Sequence, residues 1–324
     1  MLRIEHAMVA AALAAASGAP AAQAQDYPAR PIRFIVPQSA GGSTDKVARV
    51  VAQRLSDVLG QSVVVDNRPG SGSLNGTELA ARATPDGYTA LVVAASLSIS
   101  PAVRKKLPFD VVRDFAPVTQ LVDLQHLLVV HPTVPVHSVK ELIAAAQAKP
   151  GALNYASSGI ATSTHMAAEL FRYMTQTDMT HVPYKGGGPG ITAMLAGQCH
   201  LYFATISTAL PHVRAGKLRG LAVTSVKRSV AAPEVPTIAE AGVPGYSHSS
   251  WIGMLAPART PEPILKRLHT ESVKIVQSPD VKKLLLREGL EANGNTPQEF
   301  AADLKEEIAK WRKVVAAAGI QPNY

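Results

Sequence analysis

Short apolar runs alternate with amphipathic stretches along most of the chain. Ile32-Arg33-Phe34-Ile35-Val36 reads as a buried strand. Val47, Val50, Val51, Leu55, Val58 and Leu59 then recur at helical spacing, and Gly60 stops that helix. Val63 to Val65 is a second strand, Leu74 to Ala83 a helix, and Pro85-Asp86-Gly87 turns into a strand over Tyr88 to Ala95. This strand–helix rhythm predicts a parallel sheet covered by helices. It resumes with strands at Leu127 to Val130, Leu153 to Ser157, Thr180 to Tyr184, Leu201 to Thr205, Leu218 to Thr224 and Trp251 to Ala256. Helices are expected at Ser138 to Ala148, Thr164 to Met174 and Ile191 to Ala196, the first opened by a capping box of Ser138 and Glu141. From Pro263 the pattern is helical: Ile264 to Val276, Pro279 to Glu288 and Pro297 to Ala318.

Two α/β units predict two lobes with a ligand cleft between them. Phe115 to Val130 and the Pro- and Gly-rich Ala231 to Ser250 are the candidate crossovers. Residues 25–125 with 247–324 form the first expected lobe, and 126–246 the second. In open α/β sheets ligands bind beyond the carboxyl ends of the strands, and here those ends can face each other.

The first residues set the compartment. Arg3 heads a short apolar run from Ala7 to Ala16, and Ala22-Gln23-Ala24 follows with small residues where a signal peptidase reads. Residues 1–24 therefore read as a secretory signal, and the mature protein as periplasmic. No segment approaches the ~20 apolar residues of a membrane span. Apolar residues make up 47% and charged residues 17%, which predicts packed cores over disorder. Net charge is +8, which favours anionic partners. The basic residues are dispersed, with no basic block or aromatic-interleaved stripe, so a small anion is expected and nucleic acid is not. Cys199 is the only cysteine and reads as a packed structural thiol.

Chemistry concentrates in loops between strands and helices. Pro37-Gln38-Ser39-Ala40-Gly41-Gly42-Ser43-Thr44-Asp45 joins the first strand to the first helix. Its glycines let the backbone turn closely, and unpaired N–H groups at the helix start favour an anion. Asp45 reads as a brace for the loop. Ser157-Ser158-Gly159-Ile160-Ala161-Thr162-Ser163-Thr164-His165 repeats the design in the second lobe, so the two describe the jaws of an anion clamp. A third loop, Val182 to Gly190, carries Tyr184, Lys185 and a run of glycines. Catalytic alternatives fit poorly. There is no Gly-x-Ser-x-Gly elbow or His-Glu-x-x-His, and Ser158 with His165 lacks an orienting acid. His126, His131 and His137 do not match a helical metal motif, and His165 with Glu169 lacks a third ligand, so no metal or cofactor is expected.

Several blocks, in order, resemble the substrate-binding proteins of tripartite tricarboxylate transporters, the Bug receptors. They include Gly41-Gly42-Ser43-Thr44-Asp45, Val64-Val65-Asp66-Asn67-Arg68-Pro69-Gly70, Pro85-Asp86-Gly87-Tyr88-Thr89 and Leu153-Asn154-Tyr155-Ala156-Ser157-Ser158-Gly159. His181-Val182-Pro183-Tyr184-Lys185-Gly186, the run Ala209 to Leu218 and Pro236 to Gly242 continue the match. The resemblance implies a type II periplasmic-binding-protein fold and a monomer that holds a carboxylate between its lobes. It implies that the two jaw loops grip the carboxylate and that the loaded protein docks on the transporter's membrane subunits. It places Ser39 to Asp45 on one jaw and Ser157 to His165 on the other, and Gln38, Ser96, Tyr184 and Thr205 are further candidate contacts.

Three departures from the family bear on the ligand. Gln38-Ser39-Ala40 replaces Phe-Pro-Pro in the first loop, and Phe203-Ala204-Thr205 replaces Phe-Asp-Asn. Ser96-Leu97-Ser98 and Asp123-Leu124-Gln125-His126 form the third departure, a possible second polar end to the cleft. Without the acid at Ala204, a carboxylate lacking an amine is expected, di- or aromatic, with Gln38, His126 or Trp251 near its far end. A receptor feeding a sensor kinase and an exported hydrolase remain as alternatives.

Overall fold

The computed structural model describes residues 27–317, so the expected export signal over 1–24 lies outside the described residues. Along the chain, β1 (Ile32–Val36), α1 (Ser43–Leu59), β2 (Val63–Asn67), α2 (Leu74–Ala81), β3 (Thr89–Ala94), α3 (Ser96–Val103) and β4 (Phe115–Leu124) come first. Next are β5 (His126–Val130), α4 (Val139–Ala148), β6 (Asn154–Ser157), α5 (Ser163–Thr175), β7 (Thr180–Pro183) and α6 (Gly187–Leu195). β8 (Leu201–Thr205), α7 (Ile206–Arg214) and β9 (Arg219–Val223) follow. β10 (Ser250–Pro257), α8 (Glu262–Gln277), α9 (Pro279–Arg287), β11 (Leu290–Ala292) and α10 (Pro297–Ala317) close the described chain.

These strands make two mixed sheets, in the orders β11-β4-β10-β3-β1-β2 and β7-β6-β8-β5-β9. Both sheets are covered on both faces, which is why central strands such as β1, β3 and β5 are nearly continuous apolar runs. In β1, Ile32, Phe34 and Val36 enter one core while Ile35 enters the core on the opposite face. In β5, Leu128 and Val130 face one core and Leu127 and Val129 the other. Each such buried side chain contributes about 1.5–3 kcal/mol.

The helices follow their patterns. Val47, Ala48, Val51, Ala52 and Leu55 form the buried stripe of α1, and Gly60 ends it in the left-handed region at φ 66°. Val58, expected on that stripe, is 48% exposed. Half of the expected capping box of α4 forms: the Glu141 N–H donates to Ser138 Oγ at 3.2 Å, while the Glu141 carboxylate reaches past the N-cap to accept from the His137 N–H at 2.7 Å.

The structure revises three expectations. The all-parallel reading holds for β2, β1 and β3, but β10 runs antiparallel to β3 and β4. The chain does cross between the sheets within 115–130, but at Gln125 alone, between two buried strands where an open connection was expected over most of the segment. Beyond the expected strand end at Ala95, residues 96–103 form α3, a helix the pattern does not predict. The first two share a cause. The chain passes between sheets through β4–β5 and returns into β10, so β4 and β10 lie side by side as antiparallel neighbours, with Leu124 opposite Ser250.

Candidate functional site

A cavity of about 40 Å³ lies where the loops of the two sheets meet.

On the first side, Gln38, Gly42, Ser43 and Thr44 line it. The Gly41 N–H donates to Asp45 Oδ2 at 2.9 Å, and Arg49 Nε donates to the same oxygen at 3.0 Å. Burial alone would raise the Asp45 carboxyl, but Arg49 and the Gly41 N–H hold it below its ordinary value. The N-cap of α1 is Gly42, which has no side chain, so the first N–H groups of the helix receive no side-chain cap.

On the second side, Ser158, Thr162, Ser163 and Thr164 line the cavity. Thr162 caps α5, accepting from the His165 N–H at 3.4 Å. The Ser158 and Thr164 hydroxyls bond at 2.8 Å, and those of Thr162 and Thr164 at 3.0 Å. The sides touch directly. Ser43 Oγ bonds Thr205 Oγ1 at 2.6 Å and also Ser207 Oγ, and Ser39 Oγ donates to the Lys185 carbonyl.

The helix starts converge. The cavity wall carries Gly42 to Thr44 of α1, Ser96 of α3 and Thr162 to Thr164 of α5, with Gly187 of α6 and Thr205, the N-cap of α7. Each N-terminus presents roughly half a positive charge. No Asp, Glu, Lys or Arg lines the cavity among the described residues. Four wall groups have no protein partner: Gln38 Oε1, His126 Nδ1, Tyr202 Oη and Ser250 Oγ. Tyr202 Oη lies beside Ser158 and Thr164 without a hydrogen bond of good geometry. An unsatisfied buried polar group costs about 1–3 kcal/mol, so these atoms favour a bound polar molecule.

The other expected site residues stand behind the wall. Gly41 and Asp45 shape the first loop, and Ser39 and Ala40 face the α6 loop on its outer side. Ser157 and His165 turn away from the cavity. Ser157 Oγ lies 2.6 Å from His181 Nε2, and the His165 and His181 rings stack at 4.1 Å. Burial, with Arg172 nearby, pushes His165 down to about 4. Its Nδ1 accepts from the Ala161 N–H at 3.3 Å, while Ser158 bonds Thr164, so these two are not joined as nucleophile and base. Tyr184 points to Cys199 at 3.5 Å. Trp251, expected at the far end, donates instead to Glu307 at 2.7 Å. Tyr202, Ser250 and Ala94 line the cavity without having been singled out from sequence as contacts. Among the described residues no His, Cys, Asp and Glu cluster could hold a metal.

The sequence profile of a family described as "Tripartite tricarboxylate transporter family receptor" matches residues 47–320. A solved R. palustris structure with adipate superposes with a TM-score of 0.89 at 37% identity, covering 91% of this chain and 99% of that one. The periplasmic binding protein BugD matches with a TM-score of 0.87 at 30% identity, over 91% and 99%. MatC from Rhodopseudomonas palustris with bound malate gives 0.86 at 30%, over 89% and 100%.

Proposed function

The chain belongs to the tripartite tricarboxylate transporter receptor family, whose members bind solutes and are not enzymes, and we propose which solute it takes. It captures a small carboxylate without an amine, di- or aromatic, in the periplasm and delivers it to the membrane subunits of such a transporter. Residues 25–125 with 247–324 act as one lobe and 126–246 as the other, closing about Gln125 and the return before Ser250.

The observation that carries this reading is the wall of five helix starts without a charged side chain. Aligned N–H groups and hydroxyls stabilise an anion, and the absence of any wall carboxylate leaves an ammonium without a counter-ion. Adipate and malate in the related structures fit the same chemistry. The signal-like residues 1–24 and the periplasmic relative support the compartment.

Thermal shift against a panel of acids tests it. A ligand at a hundred times its dissociation constant adds about 2.7 kcal/mol, a shift of several degrees. Aliphatic diacids or aromatic acids are expected to raise the melting temperature, and aspartate and glutamate to leave it unchanged. The reverse pattern overturns the reading.

A further inference from the structure

We propose that His126 determines specificity by offering its Nδ1–H to a second acceptor oxygen of the ligand, with Ser163 and His248 fixing which nitrogen carries that proton. The proposal rests on the carboxylate reading above and deepens it, naming a dicarboxylate as the ligand class.

His126 is fully buried at the start of β5 and lines the cavity. Its Nε2 lies 2.9 Å from Ser163 Oγ, and His248 Nε2 lies 3.0 Å from the same oxygen. Burial, then the neighbouring His248, holds His126 well below the ordinary imidazole value, and burial, then Lys310, pushes His248 down to about 3. Both rings are therefore neutral, each with one N–H and one lone pair. The Ser163 hydroxyl has a single proton, so it donates to one ring and accepts from the other. Of the two possible orders, only the one with the proton on His248 Nε2 leaves His126 with an N–H to offer an anion. The order is then His248 N–H to Ser163, and Ser163 O–H to His126 Nε2. The remaining proton of His126 sits on Nδ1.

That Nδ1 is the buried atom without a protein partner, and Ser250 Oγ is another. Ser250 pairs with Leu124, two residues before His126, and all three line the cavity beside the passage between the sheets. Two unpartnered donors thus stand at this end, with no cation among them. Such a pair donates to a carboxylate oxygen of a ligand whose first carboxylate lies against the helix starts, and an apolar chain end would leave both polar groups unsatisfied.

Calorimetry on the mature protein with adipate and with hexanoate, a monoacid of the same carbon count, tests this. The wild type is expected to bind adipate more tightly than hexanoate. His126→Leu weakens adipate by roughly 10- to 100-fold, the range for a hydrogen bond to a charged group, and changes hexanoate by less than about threefold. His126→Asn, whose amide N–H can stand where Nδ1–H stood, keeps most of the adipate affinity. NMR of the wild type labelled with ¹⁵N at histidine is expected to read a proton on Nδ1 of His126 and on Nε2 of His248, and needs no folded variant. The opposite tautomers, equal binding of the two acids, or equal losses for both in His126→Leu overturn the proposal and leave the carboxylate reading standing. If no acid of the wider panel binds, the carboxylate reading itself fails and this proposal falls with it.

Discussion

At the start of α1 the N-cap is Gly42, which has no side chain to offer, whereas at the start of α5 Thr162 accepts from the His165 N–H. The first loop is held by a carboxylate behind it: Asp45 takes the Gly41 N–H and Arg49. The second is held by hydroxyls within it, through Ser158, Thr162 and Thr164. Both deliver helix starts to one cavity by different means. The first keeps its helix N–H groups free of side-chain caps and depends on an ion pair for its shape. The second spends part of its hydrogen-bonding capacity on itself, and its shape is local.

The largest test of this comparison asks whether the two sides must meet at all. Gly72, at φ 63°, lies against the second loop, and a Cβ there would overlap the Ile160 carbonyl oxygen. Gly72→Ala is expected to lower affinity for the favoured acid by at least about tenfold, because backbone cannot move aside as a side-chain tip can, and a left-handed alanine adds strain. The unliganded melting temperature should change far less. Titration calorimetry beside a melt of the free protein reads both, and unchanged affinity would mean that the two sides need not touch.

Removing the brace of the first loop should cost less, but with a pH signature. Asp45→Ala is expected to destabilise the protein by about 1–3 kcal/mol, less than a fully buried pair because Arg49 is largely exposed. The Asp45 carboxyl titrates below its ordinary value of 3.8 in the folded state. A depressed carboxyl contributes stability that is present above its unfolded value and lost as pH falls through the folded one. The gap between wild type and variant in urea melts should therefore be full near neutrality and shrink on acidification below about pH 4. A gap independent of pH would assign the loss to packing.

The smallest expected effect belongs to the second loop. Thr162→Ala removes the cap of α5 and should cost about 1 kcal/mol, with little dependence on pH because no charge is involved. A loss equal to that of Asp45→Ala, or one that tracks acid, would erase the distinction between the two sides.

Much of this was legible in the residues. The buried strands announced themselves as apolar runs, and both jaw loops were recognisable from glycine and hydroxyl residues between a strand and a helix. Asp45 was read as a brace, and it is one. β4 was not legible: Pro117 interrupts it, and with both faces buried it shows no alternation. α7 was missed because its apolar stripe is short and Pro211 lies inside it. Ser157 and His165 share the second loop's composition with the true wall residues. Only the direction of the strand end and of the helix turn sends them to the Tyr155–His181 stack instead.

The sequence by itself determined the α/β alternation, the two anion-favouring loops and the family, because these rest on local periodicity, turn chemistry and ordered short motifs. Only the tertiary structure decided which hydroxyls face the cavity, that five helix starts share it, and that Ser163 stands between His126 and His248. Those residues are 37 and 85 positions apart from Ser163, and no local propensity encodes a contact across that separation. It arises when β5 and the chain returning to β10 pack against the start of α5, and the burial that follows keeps both rings neutral.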